Sequence, residues 1–598
     1  MKSLPAVYLK YCISSLAIAL LTPLLSFAQQ KKQSQETSYW NSVEKSFLTP
    51  PDSIKPWIYW YWISDNISQK GITRDLETMK ELGIGEAFIG NIGLSEVPYG
   101  KVPVLSREWW KLTTHAVHEG ARLGVNIGIF NSPGWSQSGG PWVKPEESMR
   151  YLVTSQLKVK GPLKYNHQLS LPGKDFQEVA LLAFPAPAEE DNTIISCTPA
   201  IDCLPGMKNA RTMIDGDTAT ACLFEHNQKA CTDITITINL KKPLTARSLE
   251  LYPAKLPFIA HCELQVKEKD QFKTVSSFVL DRSNPNLNVG PMPYAPEAVA
   301  FSPVTAATFR LILTDIRNKA GLAEIRLSAS PVLDHYIEKQ LGKMHQTPHP
   351  MWDAYEWPEQ PALKQAGLAV DPSKILNITQ YLSGKGILNW NVPEGNWVIL
   401  RVGMVPTGVK NSPAPPEATG LEVDKMNKKA LKTHFNAFIG KILEHIPPQD
   451  RKALKHVVAD SYEVGSENWT DGFDADFRKK YGYDPIPWLP VLTGRIVGSP
   501  DQSDRFLWDM RRLIADRIAY EYVGGLRELS EQKGLRNWLE NYGHWGFPAE
   551  FLQYGGQSDD VSGEFWAEGD LGSIELKDAS SAAHIYGKNQ VWAESFTA

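Results

Sequence analysis

His456-Val-Val-Ala-Asp-Ser-Tyr-Glu463 is a short apolar run that ends in two carboxylates. A continuous apolar stretch of this length, closed by polar residues, reads as a strand buried on both faces of a parallel sheet. Leu535-Arg-Asn-Trp-Leu-Glu-Asn541, Gly563-Glu-Phe-Trp566 and Val591-Trp-Ala-Glu-Ser595 repeat the pattern, each with a carboxylate beside an aromatic. Upstream, Ile58–Ile63, Glu86–Ile89 and Val125–Phe130 read as strands, separated by helical patterns over Thr73–Leu82 and from a Ser106 cap to about Leu123. Trp397–Met404 reads as one more strand, with helices around Lys428–His445 and Asp501–Lys533. Strand alternating with helix predicts a parallel sheet, and the count nears eight, so the expected fold is α/β, a (β/α)8 TIM-like barrel. A doubly wound sheet is the alternative, but no glycine-rich nucleotide loop follows an early strand.

Tryptophan and cysteine divide the chain. Of 19 tryptophans, eight lie between Trp40 and Trp142 and eleven between Trp352 and Trp592. The gap holds Cys197, Cys203, Cys222, Cys231 and Cys262, every cysteine but Cys12. Within it, Asp233–Leu240, Ser248–Tyr252, Thr308–Leu313 and Ala323–Ser328 alternate apolar and polar residues, the pattern of an antiparallel β-sandwich. The expected organisation is therefore a barrel interrupted by β insertions: 29–150 and 397–598 as its two parts, 151–192 with 333–396 as a β-rich module, and 193–332 as an inserted sandwich. Five cysteines cannot all pair within a monomer, and none has zinc-ligand spacing, so they read as structural, with at most two disulfides.

With 62 Lys and Arg against 67 Asp and Glu, the near-neutral charge argues against a nucleic-acid surface. At 42% hydrophobic, the chain has material for several cores, which excludes a disordered class. Lys2 and Lys10, an apolar Tyr11–Phe27 and the small-residue end Ser26-Phe27-Ala28 read as a secretory signal removed after Ala28. The apolar stretch is short for a membrane span, so no transmembrane anchor is expected and the protein is read as exported, periplasmic or extracellular.

Barrel active sites lie at the carboxyl ends of strands. The ends here carry Asp460, Glu463, Glu540, Glu564 and Glu594, with Asn541 and His544 following Glu540. Paired carboxylates beside Trp and Tyr suit carbohydrate chemistry: rings stack on sugar faces, and two carboxyls supply an acid with a base or nucleophile. Trp135 and Trp142, in a Gly-rich loop, fit a sugar platform or a packed loop equally well. His115 and His118 lack the His-Glu-x-x-His order of a zinc protease and read as helix-face residues.

Ordered pieces then add a resemblance. Trp57–Ser64, Gly71–Leu76, Asn131-Ser-Pro-Gly-Trp135, Gly139–Trp142, Ala414–Met426, Asp460–Val464, Gly563–Trp566, Ser581–Gly587 and Ala593–Thr597 together resemble glycoside hydrolase family 106. The resemblance implies an inverting α-L-rhamnosidase acting on complex polysaccharides, built on a barrel with galactose-binding-like sandwich insertions. It implies Glu463 as general acid and Glu594 as general base, with Glu564 in a supporting role; Asp460 reads as a neighbour that helps Glu463 keep its proton, and Asn541 and His544, by their place after the Glu540 strand, as facing the sugar. It also implies Ca2+ near these oxygens, with ligands unassigned, and no organic cofactor. Ile214-Asp-Gly-Asp-Thr-Ala-Thr220 resembles a sandwich loop that holds structural calcium, though a plain Asp-Gly turn accounts for it as well. Family members are longer, so a chain stopping at Ala598 reads as a fragment or a truncated form whose last strand lacks a covering helix. Two rivals stand beside this: the same barrel acting on another deoxysugar or a uronide, and a glycan-binding protein without turnover. Apolar lining around the sugar C6 separates a methyl-bearing sugar from a uronide, which wants Arg or Lys there.

Overall fold

Alternation along β1 (Trp57–Ile63) sends Trp57, Tyr59 and Tyr61 to one core and Trp60 and Trp62 to another. In the computed structural model, which describes residues 37–51, 54–224, 233–344, 357–541, 547–567 and 574–597, β1 begins a seven-stranded parallel sheet. The expected leader ending at Ala28, with Cys12, and also Cys231, Trp352 and His544, lies outside those residues. Behind β1 come β2 (Glu86–Ile92), β3 (Asn126–Phe130), β4 (Leu454–Ala459), β5 (Arg536–Glu540), β6 (Asp560–Trp566) and β7 (Val591–Thr597), in sequential order.

β1 and β7 are the edges of this sheet, yet the rings of Trp57 and Trp592 stack with centroids 3.6 Å apart. The sheet therefore curls until its edges face each other, around an aromatic interior of Tyr59, Phe88, Phe130 and Trp538. Gly128 in β3 makes this possible, because a Cβ there would come within 2.4 Å of the Phe88 ring. Among the described residues no hydrogen-bonded pairing joins β1 to β7 and the sheet counts seven strands, so the expected closed eight-stranded barrel is not shown. Trp397–Met404 accounts for the difference. It lies within the strand Ile387–Pro406, which pairs antiparallel with Arg150–Gln168 and Gln177–Pro185. Those strands and Leu376–Asn377 make a separate four-stranded sheet, so the β-rich module extends to Pro406 rather than ending at 396.

Helices cover the outer face. Ser68 caps α1 (Gln69–Glu81), which buries Ile72, Leu76 and Met79 along one stripe. Ser106 caps α2 (Arg107–Leu123), and Gly124 at φ +72° ends it in the left-handed turn that glycine favours. On α2, His115 bonds Thr73 at 2.8 Å and His118 meets Asp450 at 3.1 Å, both as helix-face residues.

The inserted region is a seven-stranded antiparallel sheet from Pro199 to Ser328 with its own core, drawn from alternating residues such as Ile234, Ile236 and Ile238. No disulfide joins Cys197, Cys203, Cys222 and Cys262 to one another. The Asp215–Thr220 loop closes on itself, with Asp217 N–H and the Thr220 hydroxyl donating to Asp215.

Candidate active site

Register assigns the inward-facing residues to layers. His456 lies opposite Arg536, Trp538 opposite Asp560, Glu540 opposite Ser562, Ser562 opposite Trp592, and Glu564 opposite Glu594. Because side chains alternate with period two, the interior passes from a charged floor, through aromatic rings, to a rim of carboxylates at the strands' carboxyl ends. On the floor, His456 meets Glu86 at 2.7 Å and Asp560 at 3.2 Å, while Arg536 donates to Asp560 at 2.8 Å. These carboxylates raise the imidazole to about 9 against the cost of its burial.

At the rim, one carboxylate oxygen each from Asp460, Glu540 and Glu594 lies within 4.8 Å of the others. The Tyr59 hydroxyl donates to Asp460 Oδ1 at 2.7 Å, and the Gln137 amide donates to the Asp460 main-chain carbonyl. Burial first, and then the charge of Glu594, hold the Asp460 carboxyl well above its ordinary range, with bonds from Tyr59 and Glu540 opposing. Three residues on, Glu463 accepts from Ser461 Oγ at 3.2 Å and from Trp135. Burial and then the Glu594 charge also raise the Glu463 carboxyl. The charge of Glu594 thus bears on both Asp460 and Glu463. Glu564 stands beside Glu594 across the β6–β7 pairing, and its charge reaches Tyr61. Burial and these carboxylates push the Tyr59 and Tyr61 phenols far above their usual value, so both stay protonated as donors.

The expected site residues separate into two groups. Asp460, Glu463, Glu540, Glu564, Glu594 and Trp135 converge, with the Trp135 ring 6.0 Å from that of Tyr61. Trp142 turns away: its indole donates to His434 Nδ1 at 3.0 Å, and its ring stacks on Phe438. Burial depresses His434 to about 3, leaving a neutral ring whose Nε2–H donates to the Asn131 carbonyl. Trp142 thus supports the loop that carries Trp135. The Asn541 main chain donates to Ser562 O at 2.7 Å, and its side chain is buried against Gly555. Tyr59, Tyr61 and Gln137 join the site without having been singled out. The alternation in Trp57–Ile63 could have marked the two tyrosines; nothing local marks Gln137.

The sequence profile of a glycoside hydrolase family described as alpha-L-rhamnosidase matches residues 48–598. A curated protein of Formosa agariphila named "Putative beta-glucuronidase" is 31% identical over 558 residues, 93% of this chain and 35% of that protein. The solved structure of a rhamnosidase from Novosphingobium sp. PP1Y superposes with a TM-score of 0.78 at 29% identity, covering 92% of this chain and 53% of that one. The chain therefore spans about a third of the curated relative and about half of the solved one.

Proposed function

Because the chain belongs to glycoside hydrolase family 106, the α-L-rhamnosidases, we propose that it removes terminal α-L-rhamnose from complex glycans with inversion. The observation that supports the proposal is the convergence of Asp460, Glu540 and Glu594 at the strand ends, with Glu594 near enough for its charge to raise the Glu463 carboxyl. Glu463 is then protonated where an ordinary glutamate is not, and it gives that proton to the glycosidic oxygen as the C1–O bond breaks. Water attacks C1 from the opposite face and loses its proton to Glu594. Such a displacement needs the two carboxyls roughly 6.5–9.5 Å apart. Ser461 and Trp135 orient Glu463, and the faces of Trp135 and Tyr61 offer stacking surface to the ring.

Asp460, Glu540 and Glu594 fit a hard cation such as Ca2+: each offers a carboxylate oxygen, the three converge, and the charges bearing most on Asp460 and Glu463 are all carboxylates. When bound, the ion would keep the three ionised and offer coordination to sugar hydroxyls. Glu594 would keep one oxygen toward that cluster while the other takes the proton from water. We also read the chain as exported, from residues 1–28; among the described residues no helix is long and apolar enough to cross a membrane.

The name of the Formosa agariphila relative favours a second reading, a uronide substrate. Without a bound cation, the clustered carboxylates of Asp460, Glu540 and Glu594 disfavour a sugar carboxylate beside them, which supports the neutral deoxysugar instead. Incubating the protein with an aryl α-L-rhamnoside and the matching β-glucuronide, beside Glu463→Ala and Glu594→Ala, tests both. Turnover of the rhamnoside by the parent, lost in both variants, is the expected result. Turnover of the glucuronide alone replaces the substrate assignment, and undiminished activity in both variants removes the two catalytic assignments.

A further inference from the structure

Three local irregularities converge behind Asp460. Gln137 is held at φ +106°, a backbone region that residues with a β-carbon rarely enter, and the Ser132 hydroxyl bonds its carbonyl at 2.9 Å. The long helix starting at Pro500 is broken by a π-helical turn over Ile518–Val523. Turns of this kind re-aim side chains and recur at functional sites. Here the turn carries Tyr522, whose hydroxyl donates to Gln137 Oε1 at 2.7 Å. Tyr554, on the short helix Phe551–Gly556, approaches the same oxygen at 3.4 Å. With its oxygen engaged by two buried phenols, the Gln137 amide presents its nitrogen to the main-chain carbonyl of Asp460.

That carbonyl lies just past β4, which ends at Ala459, where the sheet no longer supplies ladder partners. A strained residue, a π-turn and a buried amide are each costly, and their meeting on one peptide implies that the position of that peptide matters. We propose that Gln137 is a positioning residue: through Tyr522 and Tyr554 it fixes the peptide of Asp460, and with it the segment that aims Glu463 at the substrate. The assignment rests on the reading of Glu463 as the acid, but the restraint on the segment can be measured without substrate.

Gln137→Glu keeps an acceptor for both tyrosines and replaces the donor to Asp460 with an oxygen. Tyr522→Phe instead removes the hydroxyl that orients the amide, with little change in shape, and serves if the first variant does not fold. Amide hydrogen exchange followed by mass spectrometry should show faster exchange at residues 460–464 in each variant, with residues 454–459 as protected as in the parent. On an aryl α-L-rhamnoside, kcat should fall about 10- to 100-fold while KM stays within about twofold, as expected of a displaced catalytic group. Unchanged exchange over 460–464 in both variants overturns the proposal. An inactive parent whose variants still show the faster exchange would instead count against the rhamnosidase reading and leave the restraint standing.

Discussion

At the scale of single residues, chemistry follows from the company each carboxyl keeps. Glu463 is raised from its ordinary value of 4.5 by burial and by Glu594, so its proton persists into the pH range where a free glutamate has lost it. Acting as an acid, it should impose an alkaline limb on kcat/KM, with activity falling as pH climbs through its raised value; a profile with no alkaline limb would contradict the role. Glu463→Ala should cost about 10²- to 10⁴-fold in kcat on a poor leaving group and much less on a dinitrophenyl rhamnoside, whose departure needs no proton. Steady-state rates on the two substrates check this, and equal losses on both would argue against proton donation. These carboxylates were legible because each ends a strand-like run beside an aromatic. Gln137 was not, because its importance lies in a backbone angle and two tyrosines about 400 residues away along the chain.

Elements set where those residues meet. The strand at β1 and the cap at Ser106 were readable because short-range rules govern them, whereas Ser68 caps α1 ahead of the expected start at Thr73. Trp397–Met404 shows where such rules stop: an apolar run looks the same in a parallel sheet and a long hairpin, and only its partners, 150–168 and 177–185, decide. Trp142 shows it too, since a tryptophan in a glycine-rich loop carries no sign of which way its ring turns. Gly128→Ala should test the interior packing of the curled sheet. A methyl aimed at Phe88 2.4 Å away has to displace an aromatic that itself touches Trp538, at a cost of about 1–3 kcal/mol. Chemical denaturation measures this, and a stability equal to the parent's would mean that the interior is looser than described.

For the whole molecule, modules and pH response follow from the same placement. The inserted β region falls inside the tryptophan gap: its core is drawn mostly from aliphatic residues and phenylalanine, while the parallel sheet is lined with large rings. Strand number and edge closure depend on long-range pairing and could not be read. Among the buried groups, His456 and Asp460 make stability fall with rising pH. His456 titrates at about 9 when folded against 6.5 ordinarily, so its contribution is complete below 6.5 and is lost as pH rises through 9. Asp460, raised above 3.8, adds a loss in the same direction, beginning above its ordinary value. Melting temperature in chelator should therefore decline from pH 6 to 9. Ca2+ should recover part of that decline in the parent but not in Asp460→Asn or Glu540→Gln, whereas an equal recovery in the variants would place the ion elsewhere.

The central claim, one proton donor and one water-activating base across a single sugar, is tested most directly by the configuration of the first product. Proton NMR during hydrolysis of an α-L-rhamnoside should show β-L-rhamnose accumulating first and only later relaxing to the anomeric mixture. α-L-Rhamnose as the initial product would require two successive displacements, and with them a nucleophile where Glu594 is placed as a base.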